Sequence, residues 1–95
     1  MIIRIVKMNF MPEKVSEFLD IFSSTALHIR DFPGCEGVEL YRSASDPSTL
    51  FTISRWRSEA DLEAYRKSGL FSSTWSRTKP LFASKAEAWS LSGAF

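Results

Sequence analysis

The sequence predicts one small α+β domain in which four strands form an antiparallel sheet with helices against one of its faces. Three observations carry this. A length of 95 residues holds one domain and leaves no room for a second. Apolar residues recur at helical spacing from Glu13 to about Asp31. Short strand-like runs flank that segment and a second helical one, in the order β-α-β-β-α-β.

Ile2 to Phe10 is dominated by Ile, Val and Met, with isolated charges and no Gly or Pro, which is strand composition. Both faces of this strand carry apolar residues, Ile3 and Ile5 on one and Ile2, Val6 and Met8 on the other. Pro12 suits a first helical turn, where its missing N–H costs nothing. Val15, Phe18, Leu19, Phe22, Ala26 and Ile29 then line one face of a long amphipathic helix. Phe32-Pro33-Gly34 is a strong stop, so the helix should end near Asp31.

Val38 to Arg42 alternates apolar and polar residues and reads as a second strand. Ser43 to Ser48 is turn chemistry, and Leu50 to Trp56 reads as a third strand, so the two should form an antiparallel hairpin. Ser58-x-x-Asp61 resembles a capping box with Asp in place of Glu or Gln. Leu62 and Tyr65 follow in a helix that Gly69 breaks. Phe71 to Phe82 continues as helix, interrupted by Pro80, and Ala86 to Leu91 reads as a closing strand. This order is the ferredoxin-like split arrangement, with both helices on one face. A sheet that is apolar on both faces but has helices for only one calls for a second subunit, so a homodimer is expected.

The formal net charge of +1 provides no basic footprint for nucleic acid or an anionic membrane. Arg55, Arg57, Arg66, Lys67 and Arg77 interleave with Glu59, Asp61 and Glu63 and read as a solvated helical face. The single cysteine, Cys35, cannot form an internal disulfide and suggests a reducing compartment. The start, MIIRIVKMNF, lacks the apolar region and cleavage site of a signal peptide, and no stretch approaches the ~20 apolar residues of a membrane span. A cytoplasmic protein is expected. Eight Phe and three Trp exceed what one thin core needs, which suits a ligand cavity or a subunit interface.

The string Phe32-Pro33-Gly34-Cys35-Glu36-Gly37, running into Val38-Glu39-Leu40-Tyr41-Arg42-Ser43, is similar to the helix-to-strand passage of antibiotic biosynthesis monooxygenase (ABM) domains. Asp46-Pro47 matches that family's hairpin, and Trp56 followed by Ser58 to Tyr65 resembles its run from the third strand into the second helix. The resemblance spans essentially the whole chain, residues 1–95. It implies a dimeric α+β barrel, made by two packed sheets, with a pocket in each subunit between sheet and helices. Some members oxidise polycyclic phenols or quinols with molecular oxygen and no metal or flavin, so the resemblance implies no cofactor. In that chemistry a base removes a phenolic proton, the electron-rich anion reacts with oxygen, and an apolar cavity keeps water away.

Two departures from the family pattern stand out. Many members carry a carboxylate two residues before the Trp corresponding to Trp56, and a His where Tyr65 stands; here the positions hold Ser54 and Tyr65. Tyr65 takes over the base role only if its pKa falls by ~2–3 units from its reference near 10. The haem-degrading branch uses an Asn, a Trp and a His ligand at positions that, aligned on Trp56, fall on Val6, Tyr65 and Trp75. None fits its role, and Trp75 cannot ligate iron.

The leading reading is therefore a cofactor-independent monooxygenase acting on a small phenol- or quinol-like aromatic. Tyr65 is the candidate proton-handling group and Arg4 the candidate stabiliser of a phenolate. Asn9, Ser54, Trp56 and Trp75 complete the pocket candidates. If Arg4 shares a face with Val6 and Met8, it points inward and needs an anionic partner or ligand; otherwise it makes an edge or interface salt bridge. Asn9 either donates to a substrate oxygen or caps the next turn. Trp56, at a strand end, serves as core or as ligand wall. Tyr65 and Trp75 share a helix face only if Gly69 leaves the helix continuous. His28 lies off the Phe18–Phe22–Ile29 face and reads as exposed, and Cys35 reads as a structural thiol. The alternative is a non-catalytic barrel that binds a small apolar molecule or serves assembly, motivated by the missing His and carboxylate. Haem degradation stands a distant third.

Overall fold

The branched apolar run at the start of the chain forms strand β1, Ile2–Asn9, and places it at the centre of the sheet. The computed structural model describes all 95 residues. After β1, one 3-10 turn at Pro12–Lys14 leads into helix α1, Val15–Arg30. Strands β2, Cys35–Arg42, and β3, Thr49–Trp56, form the expected hairpin. Helices α2, Glu59–Arg66, and α3, Gly69–Thr78, follow, then a 3-10 turn at Lys79–Leu81 and strand β4, Glu87–Ser92. The sheet runs β2-β3-β1-β4, every pair antiparallel. The fold is the ferredoxin-like α+β arrangement, with three helices where the sequence pattern suggested two segments. No helix is long and apolar enough to cross a membrane.

Strand β2 begins three residues before the alternation of Val38–Arg42 signals it. The register shifts between Cys35 and Gly37, because Cys35 pairs with Trp56 and Gly37 with its neighbour Arg55. The extra residue, Glu36, forms a bulge that breaks the two-residue period a strand is recognised by.

The turn out of α1 explains one glycine. Gly34 has φ +86°, a left-handed conformation that residues with a Cβ rarely adopt, and a Cβ built there would overlap the Asp61 carboxyl. Asp61 sits in the first turn of α2, where the Ser58 hydroxyl accepts from its backbone N–H (3.2 Å) and donates to its Oδ2 (2.9 Å). The short Asp side chain thus meets the capping hydroxyl, in place of the backbone reach a Glu makes in a full capping box. The Arg57 amide donates to the Gly34 carbonyl (2.8 Å), tying the α1–β2 turn to the β3–α2 junction.

Alternation along β1 sends Arg4, Val6 and Met8 toward the helices, while Ile3, Ile5, Lys7 and Asn9 face the other way. Met8, 2% exposed, packs with Phe10, Phe18, Ile21, Leu50 and Leu81 in one apolar cluster. A second cluster gathers Ile29, Val38, Leu62 and the fully buried Trp56. The core is therefore split, and the space between its halves is the candidate site.

Candidate functional site

Between the sheet and the helices lies a cavity of about 310 Å³. Met8, Phe18 and Ile21 of the first cluster close one side, and Ile29, Val38 and Leu62 of the second close another. The sheet contributes small residues there, Thr52 and Ser54 on β3 and Ala88 on β4. Small side chains on the floor under bulky ones on the helices are what leaves the space unfilled.

The remaining wall is aromatic. Tyr65 stacks on Trp56 with ring centroids 4.8 Å apart and meets Phe71 edge-on at 5.3 Å. Phe71 in turn stacks on Trp75 at 5.9 Å. Tyr65 and Trp75 lie on different helices, since the chain breaks at Lys67 and Ser68, and Phe71 bridges them. Ser68 caps α3 by accepting from the Phe71 amide (3.1 Å), which sets where Phe71 leaves the helix.

Of the six residues singled out in the sequence, Arg4, Ser54, Tyr65 and Trp75 line the cavity. Trp56 does not: it is wholly buried behind Tyr65, its indole N–H donating to the Ser54 hydroxyl (3.0 Å), so it supports the wall as core. Asn9 does not line it either. Its odd position on β1 turns it to the opposite face, where its amide donates to Ser84 Oγ (3.1 Å) and its carbonyl accepts from Thr49 Oγ1 (2.7 Å). Sequence reasoning missed Arg66, Phe71 and Thr74, all cavity-lining. Arg66, which the charge pattern assigns to a solvated helical face, is indeed exposed, yet it borders the cavity. His28 is exposed on α1, and Cys35 is half-buried with its thiol against the Gly37 carbonyl (3.6 Å).

The polar inventory of the cavity is short. Thr25 and Thr78 spend their hydroxyls on the carbonyls of Ile21 and Thr74 (both 2.8 Å). Thr74 Oγ1 is buried with no hydrogen-bond partner. Arg4 donates to Ser90 Oγ on β4 (2.9 Å) and makes no ion pair within the chain. Its pKa is lowered first by burial and then by the neighbouring Arg66. Tyr65 moves the other way from what a base needs. Burial, with a smaller contribution from Cys35, pushes its phenol up to about 12, so at neutral pH it is a protonated hydrogen-bond donor. Burial likewise pushes the Cys35 thiol up. No group of three His, Cys, Asp or Glu side chains is placed to hold a metal ion.

A two-layer α+β domain with an aromatic pocket between sheet and helices is what the ABM resemblance implied, and the comparisons decide the family. The model of the family described as antibiotic biosynthesis monooxygenase matches residues 1–75, more than three quarters of the chain. The chain belongs to the ABM family. The matched span stops within α3, so β4 is placed by structure alone. Among solved structures, this ABM domain is similar to a conserved protein from Methanosarcina mazei Go1 at TM-score 0.89 and 24% identity, covering 95% of this chain and 90% of that one. It is similar to Rv0793 from Mycobacterium tuberculosis at TM-score 0.90 and 20% identity, covering 99% and 95%. A variant of SnoaB, a cofactor-independent oxygenase from Streptomyces nogalater, superimposes at TM-score 0.87 with 15% identity over 99% and 93%. At such identities these likenesses establish the fold. No curated protein matches the sequence.

Proposed function

We propose that this ABM domain is a cofactor-independent monooxygenase that oxidises a phenol- or quinol-like aromatic with molecular oxygen, working as a cytoplasmic homodimer. The observation that carries it is the 310 Å³ aromatic-walled cavity, whose few polar groups include one unpaired guanidinium and one protonated phenol. A phenol with a ring hydrogen para to its oxygen becomes a quinone in this reaction. One atom of oxygen joins the ring carbon, the other leaves as water, and the substrate supplies the electrons. Arg4 favours the substrate's phenolate by Coulomb attraction, and Tyr65 donates a hydrogen bond to the same oxygen. The proton-handling role of Tyr65 is then donation, not abstraction. Phe71, Trp75 and the apolar side chains around them exclude water from the reactive anion.

The bare face of the sheet supports the dimer, because Trp89 and Leu91 stand 43% and 46% exposed on it. The lone half-buried Cys35 supports a reducing compartment.

The test is oxygen consumption by metal-free protein across hydroquinones, naphthalenediols and anthracene-type phenols. Uptake above the autoxidation blank is expected, falling about a hundredfold in Tyr65→Phe, the scale of removing one oxyanion donor. An unchanged rate in that variant sinks the role of Tyr65. A second reading is a barrel that binds an aromatic without oxidising it. It is favoured by the upward shift of Tyr65 and by a hydroxyl, Ser54, where many members place a carboxylate. A co-purifying aromatic with no oxygen uptake from any substrate selects it.

A further inference from the structure

Two guanidiniums, Arg4 and Arg66, border the cavity. Arg66 and Lys67 share a single carboxylate, Glu63, at 3.5 and 3.9 Å. Arg4, beside Arg66, makes no ion pair, so these three cations are set against the single carboxylate of Glu63. Glu87, the one carboxylate lining the cavity, stands opposite Lys7 in the strand register, three positions along β1 from Arg4. The ion pairs of the molecule otherwise lie along helix surfaces or on the opposite face of the sheet. Two guanidiniums held near one another, one of them half-buried, repel unless an anion sits between them, and the planar fork of Arg matches a carboxylate.

Size and depth add to this. A cavity of about 150 Å³ closes around one benzene, so 310 Å³ suits two fused rings. Arg4 and Met8 bound the space along β1, and four residues of strand span roughly 13 Å, about the length of such a molecule with one substituent. On the α3 wall, the buried Thr74 hydroxyl lacks a partner that a ring hydroxyl would supply.

We infer that the cavity takes a two-ring aromatic acid, its rings against Phe71, Trp75 and the β1 side chains and its carboxylate between Arg4 and Arg66. This rests on the cavity reading above and narrows it from aromatics in general to those carrying an acid. The carboxylate enters last and stays at the solvent-facing end, where Arg66 is exposed. A hydroxyl beside the carboxylate is the phenolic oxygen that Arg4 and Tyr65 receive, and a second one on the far ring meets Thr74.

The probes are 2-naphthoate, its neutral isostere 2-naphthamide, and 2-naphthol, titrated by calorimetry and by quenching of the tryptophan fluorescence. Naphthoate should bind about tenfold or more tighter than naphthamide, the scale of a hydrogen bond to a charged group, with the gap shrinking as salt rises. Arg4→Gln and Arg66→Gln should each reduce that preference severalfold, and in Arg66→Gln binding of 2-naphthol persists, which also reports an intact cavity. Equal affinity for naphthoate and naphthamide overturns the acid inference and leaves the aromatic cavity standing. A preference that survives both substitutions overturns it as well. If none of the three probes binds, the cavity reading itself falls.

Discussion

The two faces of this sheet are nearly equal in apolar content and opposite in fate. On the helical face Leu50, Met8 and Val38 are no more than 4% exposed, and the residues between them enclose the cavity. On the bare face Tyr41, Trp89 and Leu91 keep 43–50% of their surface, and an Arg55–Glu39–Tyr41 chain of polar contacts crosses it. Apolar character alone does not make a core; a covering layer does. The face that helices cover is also the one that leaves space, because Thr52, Ser54 and Ala88 lower part of its floor, while the bare face carries Ile3, Ile5, Phe51 and Ile53. Flat apolar surface suits another protein surface, and a hollow suits a small molecule.

Substitutions should separate the faces by size of effect. Trp56→Ala removes the fully buried side chain behind the cavity and should lower unfolding free energy by about 3–5 kcal/mol in a denaturant titration. A loss below about 1 kcal/mol would mean that the helical face is not the core.

Next in size is an alkaline effect. Tyr65 titrates near 10 when unfolded and at about 12 when folded, so as pH rises through that window the unfolded chain releases a proton that the native one keeps. Stability should fall by roughly 2–3 kcal/mol between those pH values and then level off. Below the unfolded pKa the group contributes nothing. Tyr65→Phe should lack this part of the decline, and identical pH profiles for the two proteins would refute the burial of the phenol.

Thr74→Val replaces an unpartnered hydroxyl by a methyl of the same shape, so the empty protein should gain up to about 1 kcal/mol. Destabilisation instead would show that the hydroxyl has a partner in solution. Smallest for the single chain is Trp89→Ser, expected to change monomer stability by less than about 0.5 kcal/mol. Its effect should appear in light scattering, as a shift from dimer to monomer. Wild-type protein that is already monomeric would remove the contrast between the faces.

Much of this was legible in the residues. The parity of Arg4 with Val6 and Met8 offered the inward position as one of two readings, and the same parity, applied to Asn9, would have put that residue on the other face. The Phe18–Phe22–Ile29 stripe marked the buried side of α1, and Pro33-Gly34 its end. Illegible were features that depend on how separate elements meet. Arg66 follows Tyr65 in a helix, and nothing in its spacing distinguishes a guanidinium beside an opening from one in open water. Thr74 looks like any helical threonine until packing deprives it of a partner. Trp56 had the right face for a ligand wall, but its place at the strand end sets it beyond the hollow, against Tyr65. The upward shift of Tyr65 required knowing that Phe32, Trp56 and Phe71 surround it.

Strand β4 belongs to both faces at once. Ala88 borders the cavity and Ser90 holds Arg4, while Trp89 and Leu91, between and beyond them, point to the bare side. None of its residues is buried, so pairing with β1 is its main anchor. Whatever covers Trp89 and Leu91 therefore steadies the backbone that positions Ala88 and Ser90. If the proposed ligand fills the hollow and the proposed partner copy covers the flat side, each would strengthen the other through this one strand, by equal amounts. Retention of the ligand would then rise with the concentration of the protein itself.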